Sequence, residues 1–143
     1  MEVIFSKYFK LSEFLASDVA SSRRLVEQFQ PTFDVVNNLY ELVANVLDPI
    51  RDELGMPILV TSGYRCPALN RLVGGVDTSQ HLKGMAADIS CEDNSELLRC
   101  FHSLRSSARL EYDQLILYGS LMKPRFIHVS FNPFANRHQF LYK

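Results

Sequence analysis

Two histidines and one aspartate stand out in this chain as residues that can do chemistry. His81 and Asp88 lie seven positions apart in the stretch SQHLKGMAAD, and His128 lies in RFIHVSF. The alternation of a β-strand places His128 on one face of a sheet, so a rigid element orients it. Two imidazoles and one carboxylate are the ligand count of a catalytic zinc ion that keeps a fourth position for water. These three residues are therefore candidate metal ligands.

The same residues also have ordinary structural roles open to them. Asp88 lies between Ala87 and Ile89 in a predicted buried strand, where a lone carboxylate is costly unless it is paired or bound to a cation. Alternatively, Asp88 caps a strand end, His81 is a loop residue and His128 is a hydrogen-bonded core histidine. Because no HExxH motif sets the geometry through the period of a helix, spacing alone leaves both hypotheses open.

Length and charge limit the class of protein. The chain has 143 residues, the size of one domain, so we expect a single domain over residues 1–143. Lysine and arginine number 15 against 16 aspartate and glutamate residues. The field of the whole molecule is therefore weak, and nothing in it favours steering of nucleic acid. A neutral or locally recognised substrate fits this balance better.

The cysteines and the first residues indicate the compartment of synthesis. Cys66, Cys91 and Cys100 are odd in number and show no CxxC spacing, so we expect reduced thiols. The stretch MEVIFSKYFKLSEFLASD lacks the apolar run and cleavage site of a secretory signal. No segment approaches the roughly 20 apolar residues of a membrane span. We therefore expect a protein that is cytoplasmic as synthesised, with no membrane span.

Hydrophobic periodicity predicts the elements that must position these residues. From Thr32 to Gly55, apolar residues recur at steps of three and four, which indicates one long helix. A second helix is predicted over NSELLRCFHSLRSS, capped by Asn94 or Ser95, and the segment around His138 is expected to be a basic, solvated tail. Strands are predicted over ILVTS, MAADIS, YDQLILYG and RFIHVSF. Helices followed by interleaved strands predict an α+β fold with a mostly antiparallel central sheet flanked by helices.

A longer stretch, SGYRCPALNRLVGGVDTSQHLKGMAADI at residues 62–89, resembles the signature of the zinc D-alanyl-D-alanine carboxypeptidase and endolysin peptidase family. This family shares its core fold with the hedgehog signalling domain. Its SxHxxGxAxD pattern is matched at every fixed position, by Ser79, His81, Gly84, Ala86 and Asp88. Its second histidine, in a strand followed by Val-Ser, is matched by His128. Further matches run from YFKLSEF to the closing NRHQFLYK, so the resemblance covers nearly the whole chain and is like the small phage-type branch.

The resemblance implies one zinc ion per chain, bound by His81, Asp88 and His128. It also implies that the ion lowers the pKa of a bound water from about 15.7 toward 7, so that the water attacks a peptide carbonyl. Arg65 would neutralise the oxyanion of the tetrahedral intermediate, an effect commonly worth roughly 3–4 kcal/mol; alternatively, it is a surface guanidinium stacked on the preceding tyrosine. Ser79 would bind substrate close to the metal, or else it is a turn-forming serine.

One position departs from the family pattern. Many members carry a glutamate or aspartate three residues before the second histidine, as general base and then acid, but this chain has Arg125 there. A guanidinium cannot accept that proton. Strand alternation places Glu111 and Asp113 on one face; Asp113 is the preferred candidate, although a strand-start carboxylate that binds loop amides is equally natural. The remaining alternatives are Tyr118 and a metal-activated water that acts without a protein base.

The resemblance implies a zinc metallopeptidase that acts on peptidoglycan stem peptides, as carboxypeptidase or endopeptidase. A competing hypothesis, motivated by Arg125 and by the signalling role of the hedgehog fold, is a zinc-bound, catalytically weak domain that binds cell-wall peptide or a protein partner. Phage lysins of this type resemble the chain in lacking a secretory signal. A phage or prophage origin, with release to the cell wall on lysis, is therefore a further hypothesis, and the sequence leaves the oligomeric state open.

Overall fold

The computed structural model describes residues 2–143, which form helices around a five-stranded sheet. The α-helices are α1 (Leu11–Leu15), α2 (Asp18–Ser22), α3 (Phe33–Leu42), α4 (Asp48–Leu54), α5 (Pro67–Leu72) and α6 (Asn94–Ser106). The strands are β1 (Leu59–Ser62), β2 (Ala86–Ser90), β3 (Gln114–Gly119), β4 (Pro124–Ser130) and β5 (Gln139–Tyr142). Single turns of 3₁₀-helix lie at Val26–Phe29 and Gln80–Lys83. None of the helices in this described range has the length and apolar character needed to cross a bilayer.

The long helix expected between Thr32 and Gly55 is present, with an irregular turn in its middle. The Thr32 hydroxyl accepts a hydrogen bond from the Val35 amide and caps α3, and Gly55 ends α4 with a φ of 67°. Between α3 and α4 the backbone widens into a π-helical turn at Val43–Leu47. Pro49 explains this turn, because it has no amide hydrogen and its ring excludes the carbonyl four residues earlier.

The apolar faces of these helices and one face of the sheet form a single core. Helix α6 lies against β3 and β4 and also contacts α4. Fully buried side chains come from both layers and include Leu39, Leu42, Leu47, Ile50, Leu97, Phe101, Leu104, Ile89, Leu115, Leu117 and Ile127. Each such side chain contributes about 1.5–3 kcal/mol by leaving water. The core therefore determines which face of every strand points inward.

The sheet has the strand order β1-β2-β4-β3-β5, and all neighbours pair antiparallel except β3 and β5. This arrangement confirms the predicted α+β fold with a mostly antiparallel sheet.

Two details differ from the sequence prediction. The segment after His138 is exposed to solvent as expected, but it is not an unpaired tail, because QFLY forms β5 and pairs with the outer edge of β3, whose backbone groups would otherwise lack partners. Most side chains of β5 remain exposed, so the segment gives no burial pattern. The cap of α6 is Asp93, whose carboxylate accepts a hydrogen bond from the Ser95 amide at 2.9 Å.

Strand register places the polar candidates in one row. Asp88 in β2 lies directly opposite both Ser62 in β1 and His128 in β4, and His128 lies opposite Ile116 in β3. Since Ala87, Ile89, Ile127 and Val129 belong to the core, alternation turns Asp88 and His128 to the other face. This second face of the sheet carries the candidate site.

Gly84 couples the loop before β2 to α3, and its replacement tests this packing. Gly84 has a φ of +73°, and an added Cβ would lie 2.7 Å from the Val35 carbonyl oxygen. Gly74 has a similar φ of +77° but nothing within 4 Å. We expect Gly84→Ala to lower the free energy of unfolding by about 2–5 kcal/mol, since overpacking adds to the backbone strain. Gly74→Ala should cost only the strain, about 1–2 kcal/mol, in urea unfolding at 25 °C. Equal losses for the two variants would contradict the packing of Gly84 on α3.

Candidate metal centre

Asp88 and His128 meet across the β2–β4 pairing. His128 Nδ1 lies 3.0 Å from Asp88 Oδ1, and both side chains are only 13% exposed. Directly opposed residues of antiparallel strands have adjacent side chains on one face, which explains this contact. The sequence separates the two residues by 40 positions, so their meeting depends on the sheet.

His81 reaches the same carboxylate from the 3₁₀ turn Gln80–Lys83. The Ser79 hydroxyl caps this turn by accepting a hydrogen bond from the His81 amide at 3.3 Å. His81 Nδ1 lies 2.6 Å from the Gly63 carbonyl oxygen. A carbonyl can only accept, so Nδ1 carries a hydrogen and Nε2 is the ring nitrogen that faces Asp88. That Nε2 lies 3.3 Å from Asp88 Oδ1.

The electrostatics of this group favour a charged carboxylate. Burial by itself would raise the pKa of Asp88, but hydrogen bonds and charge interactions with His128 and His81 outweigh it and hold the pKa well below its usual range. One ligand atom from each of the three residues lies within 4.8 Å of the others. Two imidazole nitrogens and a carboxylate oxygen at this spacing fit a zinc ion with a fourth position left for water.

Arg65 lies at the edge of this group. Its Nη2 is 3.9 Å from Asp88 Oδ2, and its backbone amide donates to the His81 carbonyl oxygen at 3.0 Å. Its Nη1 donates to Asn70 Oδ1 at 3.1 Å, and Asn70 is itself buried. A Cβ at position 75 would overlap the Asn70 side chain, so Gly75 leaves room for this contact. Burial lowers the pKa of Arg65, and the charge of Asp88 partly offsets that effect.

Asp113, the residue preferred from the sequence as general base, does not join the group. It precedes β3, and its carboxylate accepts hydrogen bonds from Arg137 Nε and Nη2 at 2.9 and 2.8 Å, and from Gln80 Nε2 at 2.7 Å. The hydrogen bonds from Arg137 lower the pKa of Asp113 to about 2, although burial opposes them. Such a carboxylate is a weak base, so this geometry speaks against the proposed role. Glu111, the other candidate, is exposed before β3 begins.

Arg125 and Tyr118 differ in their placement. Arg125 is exposed, and its guanidinium lies 5.8 Å from the ring centre of Phe126. Tyr118 is stacked on the same ring at 4.6 Å and lines a groove beside His128. Alternation along β3 places Tyr118 on the face of Ile116, which lies opposite His128. Tyr118 is therefore the hydroxyl that β3 presents on the side of the metal candidates.

Sequence reasoning missed Gln80 and Arg137. Both bind Asp113, and both line the groove beside His128. The sequence has no clear signal for either residue, because β5, which brings Arg137 to the sheet, has mostly exposed side chains and no burial pattern.

Comparison with known proteins identifies one family. The family model described as Peptidase M15 matches residues 7–130. The match includes all three metal candidates together with Arg65, Ser79 and Asp113. No curated protein matches the chain.

Zinc affinity tests the three candidates directly. We expect His81→Ala, Asp88→Ala and His128→Ala each to lower zinc affinity by more than about 100-fold, since loss of supporting residues alone can cost 10–100-fold. His102→Ala, an exposed change on α6, should leave the affinity unchanged. Competition with a chromogenic chelator at pH 7.5 gives the dissociation constants. If one of the three variants is folded and binds zinc as tightly as the parent protein, the substituted residue is not a zinc ligand.

The pairing of Asp113 with Arg137 has a pH signature. The folded-state pKa of about 2 lies below the ordinary 3.8, so the pair stabilises the fold fully above pH 4 and loses this contribution as pH falls toward 2. Asp113→Asn should therefore cost about 1–2 kcal/mol at pH 6, a value kept modest because Arg137 is exposed to water. The difference between the two proteins should shrink at pH 2.5 in urea unfolding. A difference that stays constant or grows on acidification would contradict this assignment.

Proposed function

The chain belongs to the peptidase M15 family, and on that premise we propose that it is a zinc metallopeptidase that hydrolyses peptide bonds in peptidoglycan stem peptides. The observation that carries this proposal is the group of His81, Asp88 and His128, which offers three ligand atoms within 4.8 Å of one another. When bound, zinc supplies a Lewis acid that lowers the pKa of a coordinated water toward 7. The protein residues then hold the ion and orient the peptide.

The proposal assigns one metal-binding atom to each ligand residue. His81 uses Nε2, because its Nδ1 hydrogen bonds to the Gly63 carbonyl, and this bond makes the ring a better donor. His128 uses Nδ1, the nitrogen that faces Asp88. Asp88 contributes a carboxylate oxygen. Its depressed pKa keeps it charged at neutral pH, as a metal ligand must be.

Arg65 binds the carbonyl oxygen of the scissile peptide in this mechanism. Its contacts with Asn70 and with the backbone of the His81 turn hold it beside the metal ligands before substrate arrives. A preorganised positive charge stabilises the negative oxygen that develops in the transition state. Arg65 therefore stabilises the transition state more than the bound substrate.

Ser79 binds the peptide backbone near the metal. Its oxygen already accepts from the His81 amide, which leaves the hydroxyl hydrogen free to donate to a substrate carbonyl. Ser79 also lines the groove beside His128. In this proposal it both caps the turn and binds substrate.

In our preferred version of the mechanism, the Tyr118 hydroxyl is the group that donates a proton to the leaving amine. Within residues 2–143, no carboxylate lines the groove beside His128, whereas the Tyr118 ring does. A tyrosine hydroxyl can donate to the leaving amine and return to its starting state through water. If Tyr118 is dispensable, the metal-activated water acts without a protein base.

A second function, zinc-dependent peptide binding without cleavage, is favoured by one observation. The usual base position holds Arg125, which is exposed, and the described groove lining contains no carboxylate to replace that base. This version predicts bound zinc and saturable peptide binding with no product.

Mass spectrometry of purified muropeptides tests the proposed function. Zinc-loaded protein should produce fragments whose masses identify the bond cut, and chelation or His81→Ala should abolish them. Hydrolysis that survives both treatments would contradict the metallopeptidase. Bound zinc and bound muropeptide with no fragment would favour the second function.

Two further variants in the same assay test the residue roles. Arg65→Gln should lower kcat by about 10²–10³-fold with a smaller change in KM, as expected for transition-state stabilisation. Tyr118→Phe should lower kcat by about 10²-fold or more. Tyr40→Phe, an exposed change on α3, should have no effect. Full activity of Tyr118→Phe would assign the proton transfer to water alone.

A further inference from the structure

A polar groove with a volume of about 400 Å³ opens along β3 beside the metal candidates. We call it the basic groove and define it by six of its lining residues: Ser79, Gln80, Tyr118, His128, Arg137 and Lys143. His128 belongs to the metal candidates and Gln80 directly precedes His81. The basic groove therefore adjoins the metal candidates.

Arg137 is held in place at one wall of the basic groove. Asp113 accepts from its Nε, its Nη2 and its backbone amide, at 2.9, 2.8 and 2.9 Å. The Arg137 side chain is 59% exposed, while that of Asp113 is only 6% exposed. The guanidinium thus faces the solvent and the carboxylate lies behind it. Among residues 2–143, no hydrogen bond engages Arg137 Nη1.

Gln80 completes the support of Arg137. Its Nε2 donates to Asp113 Oδ2 at 2.7 Å, the oxygen that also accepts from Arg137 Nη2. Asp113 therefore joins the turn that carries His81 to the segment that carries Arg137. This link sets the position of the guanidinium relative to the metal ligands.

Lys143 supplies a second positive charge at the basic groove. Its backbone amide donates to the Leu117 carbonyl oxygen at 2.9 Å, which anchors the residue beside β3. In the described part of the chain, no carboxylate lies within 4 Å of its ammonium. The described lining contains two basic residues and no acidic one.

We propose that the basic groove binds a carboxylate of the substrate peptide, through Arg137 and Lys143. This inference rests on the proposed function, because it assumes that a peptide occupies the metal centre. A guanidinium held by a buried carboxylate is preorganised, so it binds a second carboxylate with little loss of side-chain entropy. The ammonium of Lys143 adds a flexible charge. The carboxylate is either the one at the C-terminus of the peptide or the one on an acidic residue within it.

Binding and hydrolysis of three matched stem peptides test this inference and separate the two sources. One peptide carries both carboxylates, the second is amidated at its C-terminus, and the third is amidated at its acidic residue. Dissociation constants come from titration of zinc-loaded protein in a chelator-free buffer, and kcat/KM comes from product mass.

We expect one amidated peptide to bind at least about 10-fold more weakly than the peptide with both carboxylates, because it loses a charge-assisted hydrogen bond. Which peptide weakens identifies the carboxylate. Arg137→Gln and Lys143→Gln should reduce this preference to about 3-fold or less. Lys10→Gln, an equal charge change away from the groove, should retain it.

Two outcomes would overturn the inference. One is a protein that binds all three peptides equally, and the other is a preference that survives both Arg137→Gln and Lys143→Gln. If Arg137→Gln unfolds the protein, Lys143→Gln alone tests the inference, because Lys143 is exposed and its replacement should not affect folding. Binding that shows the preference without any hydrolysis would support the basic groove while the proposed peptidase activity fails. Hydrolysis of all three peptides at equal rates and equal affinities would support the proposed peptidase activity and contradict carboxylate binding in the basic groove.

Discussion

The contact between Asp88 and His128 depends on the register of β2 against β4, and the metal centre depends on that contact. A shift of one residue would turn Asp88 toward the core and bring Ala87 or Ile89 out to solvent. Each large apolar side chain moved outward costs about 1.5–3 kcal/mol, so the core resists this shift. Hydrophobic packing on one face of the sheet thus holds two polar ligands together on the other face.

The third ligand comes from a loop, and a different set of interactions holds it. The carbonyl of Gly63, at the end of β1, selects the tautomer of His81, while the Arg65 amide binds the carbonyl of His81. Ser79 caps the same turn and Gly84 ends it against α3. Asp113 ties this turn to Arg137 through Gln80. Hydrogen bonds from several parts of the chain, together with the packing of Gly84 on α3, therefore fix this short turn.

Periodicity along the chain predicted most of the fold, because the elements that carry the core have strong hydrophobic patterns. The helix from Thr32 to Gly55 and the strand that contains His128 are examples. The edge strand β5 was not predicted, because backbone pairing with β3 stabilises it and its side chains are mostly exposed.

The candidate site was also predictable only in part. His81, Asp88 and His128 were identified as a set by residue type and motif, and the sheet together with the 3₁₀ turn that carries His81 brings them together. The partner of Asp113 could not be predicted, because alternation predicts the face of a strand and not the partner of a side chain. Arg137, 24 residues later in the sequence, binds Asp113 only because β5 returns to β3. Such long-range polar pairs have no local pattern.

The central claim is that His81, Asp88 and His128 form an open, three-ligand zinc site. A crystal structure of the zinc-loaded protein, with anomalous diffraction measured on both sides of the zinc edge, tests it most directly. The account predicts one zinc ion at about 2.0–2.2 Å from His81 Nε2, His128 Nδ1 and an Asp88 oxygen, with no fourth protein ligand. Zinc bound elsewhere, or held by four protein ligands, would contradict it.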